Sequence, residues 1–144
     1  MIAGLFEKGA MPALERLVQF TSRRQAVLAD DIANLSTPYF KPRDLAPKAF
    51  QATLRAAIDR RRGGAAPTSG PLRPADTDEL KFTPDRIEIR PQATNDNILF
   101  HDQNNRDLER IMQSLAENTL AHNAGVQLLT NQFDMLKLAI RERI

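Results

Sequence analysis

The sequence predicts a mainly α protein in which two long terminal helices form an elongated, coiled-coil-like hairpin around an irregular middle segment with a short helix and minor β structure. Three observations lead there. Residues near each end repeat in unbroken alternating steps of four and three, the pattern of helices that pack lengthwise. Pro12 and Pro38 bracket the first of these seams. The stretch between the seams is rich in Gly, Pro, Ser and Thr, so it breaks helical periodicity. The expected organisation is one structural domain: an N-terminal helix and Thr-Pro turn over 1–45, a variable and partly flexible segment over 46–104, and a C-terminal helix over 105–144.

The first seam is Leu14, Val18, Thr21, Gln25, Leu28, Ile32 and Leu35. Glu15, Arg16, Arg23, Asp30 and Asp31 fall off it, and the Asp30-Asp31 pair is expected on a solvated face. Proline suits the first turn of a helix, so the helix should begin near residue 11 or 12. It should end at Leu35 or Ser36, because Pro38 pushes Thr37 out of the α region.

The second seam is Leu108, Met112, Leu115, Thr119, His122, Val126, Leu129, Phe133, Leu136 and Ile140. Asn104 or Asn105 can cap its start, and Asp107 and Glu109 put negative charge in its first turn, where the helix dipole favours it. Lys137, Arg141 and Arg143 supply the positive charge favoured at the other end. At about 1.5 Å per residue such a helix is a rod of roughly 50 Å. Pairing the two helices antiparallel within one chain leaves part of each seam for neighbouring molecules, and the polar members Thr21, Gln25, Thr119 and His122 can set register.

Between the seams, residues 47–62 suit a short helix presenting Phe50, Leu54, Ala57 and Ile58. Residues 63–77 have almost nothing to bury and read as a flexible loop. Ile87 and Ile89 have strand spacing, enough for a short strand or hairpin. Residues 92–105 are polar around one apolar knot, Ile98-Leu99-Phe100.

Composition narrows the function. In 144 residues, 42% are hydrophobic, 6% are aromatic and there is no Trp, a lean supply for a compact core. Cysteine is absent, which excludes disulfides, thiol catalysis and Cys-ligated metals. Twenty basic residues face 18 acidic ones, a mixed surface rather than a polyanion-binding one. No run of 18 apolar residues exists to span a membrane, and Glu7, Lys8 and Glu15 interrupt any cleaved secretory signal.

Candidate chemistry is sparse. His101-Asp102 has the composition of a general base or half a metal site, but no second histidine stands at ligand spacing. Asp30 and Asp31 are helix neighbours about 100° apart and do not converge on a substrate. Arg60-Arg61-Arg62 is the strongest basic run. It lacks aromatic interleaving and is explained by a helix C-terminus. No catalytic residues, cofactor or metal are expected, and no small-molecule substrate. Two alternatives stay open: a cytoplasmic basic coiled-coil protein binding nucleic acid through Arg60–Arg62, and a small hydrolase using His101-Asp102.

Leu28-Ala29-Asp30-Asp31-Ile32-Ala33-Asn34-Leu35-Ser36-Thr37-Pro38-Tyr39-Phe40 resembles the N-terminal motif of the flagellar axial protein family, Ala-Asn-Asn-Ile-Ala-Asn…Thr-Pro-Gly-(Tyr/Phe). At the other end Asn105-x-Asp107-Leu108-Glu109-x-x-Met112, Ala116-Glu117-Asn118-Thr119-Leu120 and Phe133-x-x-Leu136-x-x-Ala139-Ile140 resemble the family's short proximal-rod members. The likeness covers roughly the first 45 and last 40 residues. Two positions depart from it: Asp30-Asp31 stands for Asn-Asn, and Tyr39 stands for Gly. A turn with positive φ would be strained by Tyr, so a different local turn is expected there.

The resemblance implies a non-enzymatic subunit of the periplasmic rod of the bacterial flagellum. It implies export through the flagellar type III apparatus without a cleaved signal. It further implies self-association and contact with other rod subunits, the rod-to-ring adaptor protein, the membrane-embedded MS ring and the export gate. The implied assembly interface is Leu14, Val18, Thr21, Gln25, Leu28 and Ile32 with motif residues Asn34, Leu35, Thr37, Pro38, Tyr39 and Phe40, together with the second seam. Tyr39 and Phe40 would be wedges against a neighbour, on a turn that sends the chain outward.

Overall fold

The computed structural model describes residues 7–64, 69–93 and 107–141. In chain order these form α1 (Met11–Ala33), β1 (Arg43–Asp44), α2 (Pro47–Arg62), β2 (Leu80–Phe82), β3 (Ile87–Ile89), β4 (Gln92–Ala93) and α3 (Leu108–Arg141). The architecture is mainly helical with minor strands. His101-Asp102, the Ile98-Leu99-Phe100 knot, Asn104, Asn105 and Arg143 lie outside the described residues.

α1 begins where the prolines predict, with Pro12 in its first turn. It ends two residues earlier than expected. The backbone N–H and the side-chain amide of Asn34 both donate to the Asp30 carbonyl, at 3.0 and 2.9 Å. That carbonyl is satisfied by the cap, and the chain leaves the helix there.

α1 has two buried faces. Its predicted seam is covered throughout: Thr21 and Leu28 are buried and Leu14, Val18, Gln25 and Ile32 half-buried. Roughly 120° around the helix, Arg16, Phe20, Arg24, Val27 and Asp31 are buried as well. This second face packs against the middle of the chain. Phe20 joins Leu45, Phe50, Leu80 and Ile87 in one apolar cluster, flanked by Leu17, Leu54, Phe82 and Ile89. Phe20 and Phe50 stack with ring centroids 4.1 Å apart.

The middle segment thus carries more core than its sequence suggests. The 47–62 helix forms over the expected residues and buries Phe50 and Ala57. β2 and β3 pair antiparallel with Leu80 opposite Ile89 and Phe82 opposite Ile87, so the two-residue pleat turns all four toward one side. Arg16 donates to the Pro84 carbonyl at 2.7 Å and Gln19 to the Asp85 carbonyl at 3.2 Å, which ties the hairpin turn to α1. β1 pairs with β4, joining residues 43–44 to 92–93. In the stretch read as a flexible loop with almost nothing to bury, Leu72 and Pro74 are buried.

α3 runs 34 residues, about 50 Å of helix. Its N-cap is Asp107, whose Oδ1 accepts the Arg110 backbone N–H at 3.1 Å.

Phe50→Ala should cost about 3–5 kcal/mol, the range for emptying a fully buried aromatic site. Urea denaturation of the full chain measures it. A loss under 1 kcal/mol would show that the α2 cluster is not part of the cooperative core.

Candidate assembly interface

α1 and α3 pack antiparallel: Val18 lies against Gly125, Thr21 against His122, and Gln25 against Asn118 and Thr119. Of the residues in the second seam, Leu115, Thr119, His122, Leu129 and Leu136 are half-buried. Leu108, Met112, Val126, Phe133 and Ile140 are exposed. The face against α1 uses the residues that precede three of them, with Ile111 and Gly125 buried and Gln132 half-buried, and adds buried Asn118 beside Thr119. Half the heptad positions therefore pack where the periodicity puts them, and the other half shift by one residue.

Two residues that do not look like core cause the shift. Asn118, only 3% exposed, donates to the Thr21 carbonyl at 2.9 Å and to Gln25 Oε1 at 2.8 Å. Gly125 faces Leu17 and Val18 so closely that an added Cβ would stand 3.2 Å from Val18 Cγ2. The missing side chain lets the two backbones approach. Around Asn118 the polar seam residues form one connected layer. Thr21 Oγ1 and His122 Nδ1 share a 2.9 Å hydrogen bond, and Gln25 Nε2 donates to Thr119 Oγ1 at 3.4 Å. Every member is paired, so the layer tolerates burial and penalises slipped registers.

Residues 34–42 form an elbow after α1. Thr37 N–H donates to the Asn34 carbonyl at 2.9 Å and Phe40 N–H to the Thr37 carbonyl at 3.3 Å. Tyr39 has φ 62, a left-handed conformation that Gly adopts without strain. The reasoning that a tyrosine would avoid positive φ here is therefore corrected: the backbone adopts it and the tyrosine bears the strain. The chain also does not run outward. It folds back along α1, where the backbone N–H of Arg43 donates to Asp31 Oδ2 at 3.0 Å. Arg24 grips Asp44 through two nitrogens, at 2.8 and 2.6 Å. Thr37, Pro38 and Tyr39 are exposed, Tyr39 by 76%, whereas Asn34, Leu35 and Phe40 are half-buried.

The solvated face expected for the acidic pair holds for Asp30 alone. Asp31 is buried, and loss of hydration pushes its carboxyl from 3.8 up to about 6, partly opposed by the Arg43 N–H bond and charge. The basic run is partly engaged within the chain. Arg61 donates to the Gly9 carbonyl at 2.6 Å and Arg60 to the Arg73 carbonyl at 3.4 Å. Among the described residues no three His, Cys, Asp or Glu side chains gather at a metal site, and no helix is long and apolar enough to cross a membrane.

Two long helices in register, one with an unburied apolar flank, define the class: a helical packing protein. No family model matches the sequence. The flagellar basal body rod protein FlgB of Borrelia hermsii is 29% identical over 133 residues, spanning 88% of this chain and 91% of that protein. This similarity, modest in identity and nearly full in length, supports the flagellar rod protein FlgB family for the chain.

Asn118→Ala should cost about 1–3 kcal/mol, because Gln25 loses its buried donor. Thermal denaturation checks it, and an unchanged Tm would mean the layer does not hold the register. Tyr39→Gly should stabilise the chain by about 1 kcal/mol by removing left-handed strain. A lower Tm for that variant would show that Tyr39 makes a contact worth more than the strain.

Proposed function

We propose that the chain is a non-enzymatic structural subunit of the proximal rod of the bacterial flagellar basal body. It assembles by packing the seams of its terminal helices, as a coiled-coil-like hairpin, against neighbouring subunits. The observation that carries this reading is the flank of α3. Met112 is 51% exposed and Val126 41%, and Leu108 and Ile140 are exposed beside them. Together they make an apolar row that α1 leaves uncovered, the kind of surface that marks a protein interface. Similarity to a flagellar basal body rod protein over most of the chain supports the same reading. Repeating contacts that do not close would extend such subunits into a tube.

On this reading the partners are further copies, other rod subunits, the rod-to-ring adaptor protein, the MS ring and the export gate. The site of action is the periplasmic rod, reached through the flagellar type III apparatus. The described residues divide into an inner part that holds the subunit together and an outer part available to neighbours. The elbow residues Thr37, Pro38 and Tyr39 belong to the outer part with Leu108, Met112, Val126, Phe133 and Ile140. Nucleic-acid binding is the weaker reading, since Arg60 and Arg61 each donate to a backbone carbonyl of the chain itself.

Met112→Asp with Val126→Asp separates assembly from folding, since both side chains are exposed in the single chain. The double variant should keep wild-type helicity and Tm while losing rod assembly and motility in a strain without the native gene. Full motility with a folded double variant would sink the proposal.

A further inference from the structure

Asp31 is the least exposed ionisable residue on α1, at 2%. Its two carboxylate oxygens face the backbone N–H of Arg43, at 3.0 and 3.2 Å. Two nearby cations are engaged with other carboxylates. The Arg43 guanidinium reaches Asp30 at 3.2 Å, and Arg24 holds Asp44 at 2.6 Å. Lys48 from α2 lines the same cleft of about 510 Å³, as do Asp107, Arg110 and Glu117 from the α3 end. Among the described residues no cationic side chain lies within ion-pair distance of Asp31. The segment it fastens is exposed at its tip, over residues 36–39, and Tyr39 sits there at φ 62.

We propose that Asp31 is a pH-dependent latch: protonated, it holds the elbow and Arg43 against α1, and ionised, it loosens them. The cause is desolvation. A buried carboxylate with no cation at ion-pair distance among the described residues regains water when the elbow lifts. The Arg43 N–H and charge oppose that gain only in part, whereas the neutral acid has little to regain. The closed elbow therefore binds the proton more tightly than the open one, in line with a carboxyl raised from 3.8 to about 6. Between these values the closed form carries more protons, so closure weakens as pH rises and levels off above the upper one. The opening constant should grow about 100-fold in all, with about tenfold of that between pH 5 and pH 8. The latch concerns the single chain and stands independently of any role in a rod.

Amide hydrogen exchange by NMR on the full chain tests it, with the Arg43 amide compared with the Leu28 amide in α1 after correction for intrinsic rates. Relative protection of Arg43 should fall about tenfold from pH 5 to pH 8, and Asp31→Asn should abolish that dependence. Asparagine keeps the size and a carbonyl acceptor for the Arg43 N–H. Flat protection in the wild type, or an equal slope in Asp31→Asn, would overturn the latch. The ¹³C shift of the Asp31 carboxyl gives a variant-free readout: a midpoint near 6 supports the latch and one near 4 overturns it.

Discussion

The structure depends on one constraint: α1 must satisfy two buried faces at once. One face meets α3 through Val18, Thr21 and Gln25. The other meets the middle segment through Phe20 and through Arg16 at the Pro84 carbonyl. Rotating α1 to improve either face would strip the other. This coupling gives a lean chain a cooperative core, because one helix supports two layers rather than one. The return of the chain after α1 is fixed by the same helix, with Arg24 on Asp44 and Asp31 under the Arg43 amide.

The polar groups in this arrangement are selective rather than merely tolerated. Asn118, Gln25, Thr119, Thr21 and His122 satisfy one another between α1 and α3, so a slip of either helix would leave several buried groups without partners. Gly125 adds a steric condition, since a Cβ there would crowd the Leu17 and Val18 side chains and push them back. With the register fixed this way, Met112 and Val126 point past α1. This apolar row, which α1 leaves exposed, is the physical feature on which the proposed assembly with neighbours rests.

Much of this was legible in the sequence, unevenly and for identifiable reasons. The α1 seam could be read directly because Leu14, Val18, Leu28 and Ile32 are apolar and regularly spaced. The 47–62 helix and the strand spacing of Ile87 and Ile89 were equally plain. On α3 the periodicity selected Met112, Val126 and Phe133, since apolar residues dominate any pattern search. Asn118 and Gly125 were invisible to it, one polar and one without a side chain. Buried Asp31 was hidden for a similar reason: a carboxylate beside another carboxylate reads as surface until the Arg43 amide is seen to fold back over it. The left-handed turn at Tyr39 was the least readable feature, because the residue type argues against the backbone it adopts.

The register of α1 on α3 is the central claim, and one measurement addresses it directly. In a NOESY spectrum of the isolated chain, the Val18 methyls should show their strongest interhelical contacts to the Gly125 Hα protons, with Thr21 close to the His122 ring. Strong contacts from Val18 to the Val126 methyls, with none to Gly125, would restore the simple heptad register and contradict the account.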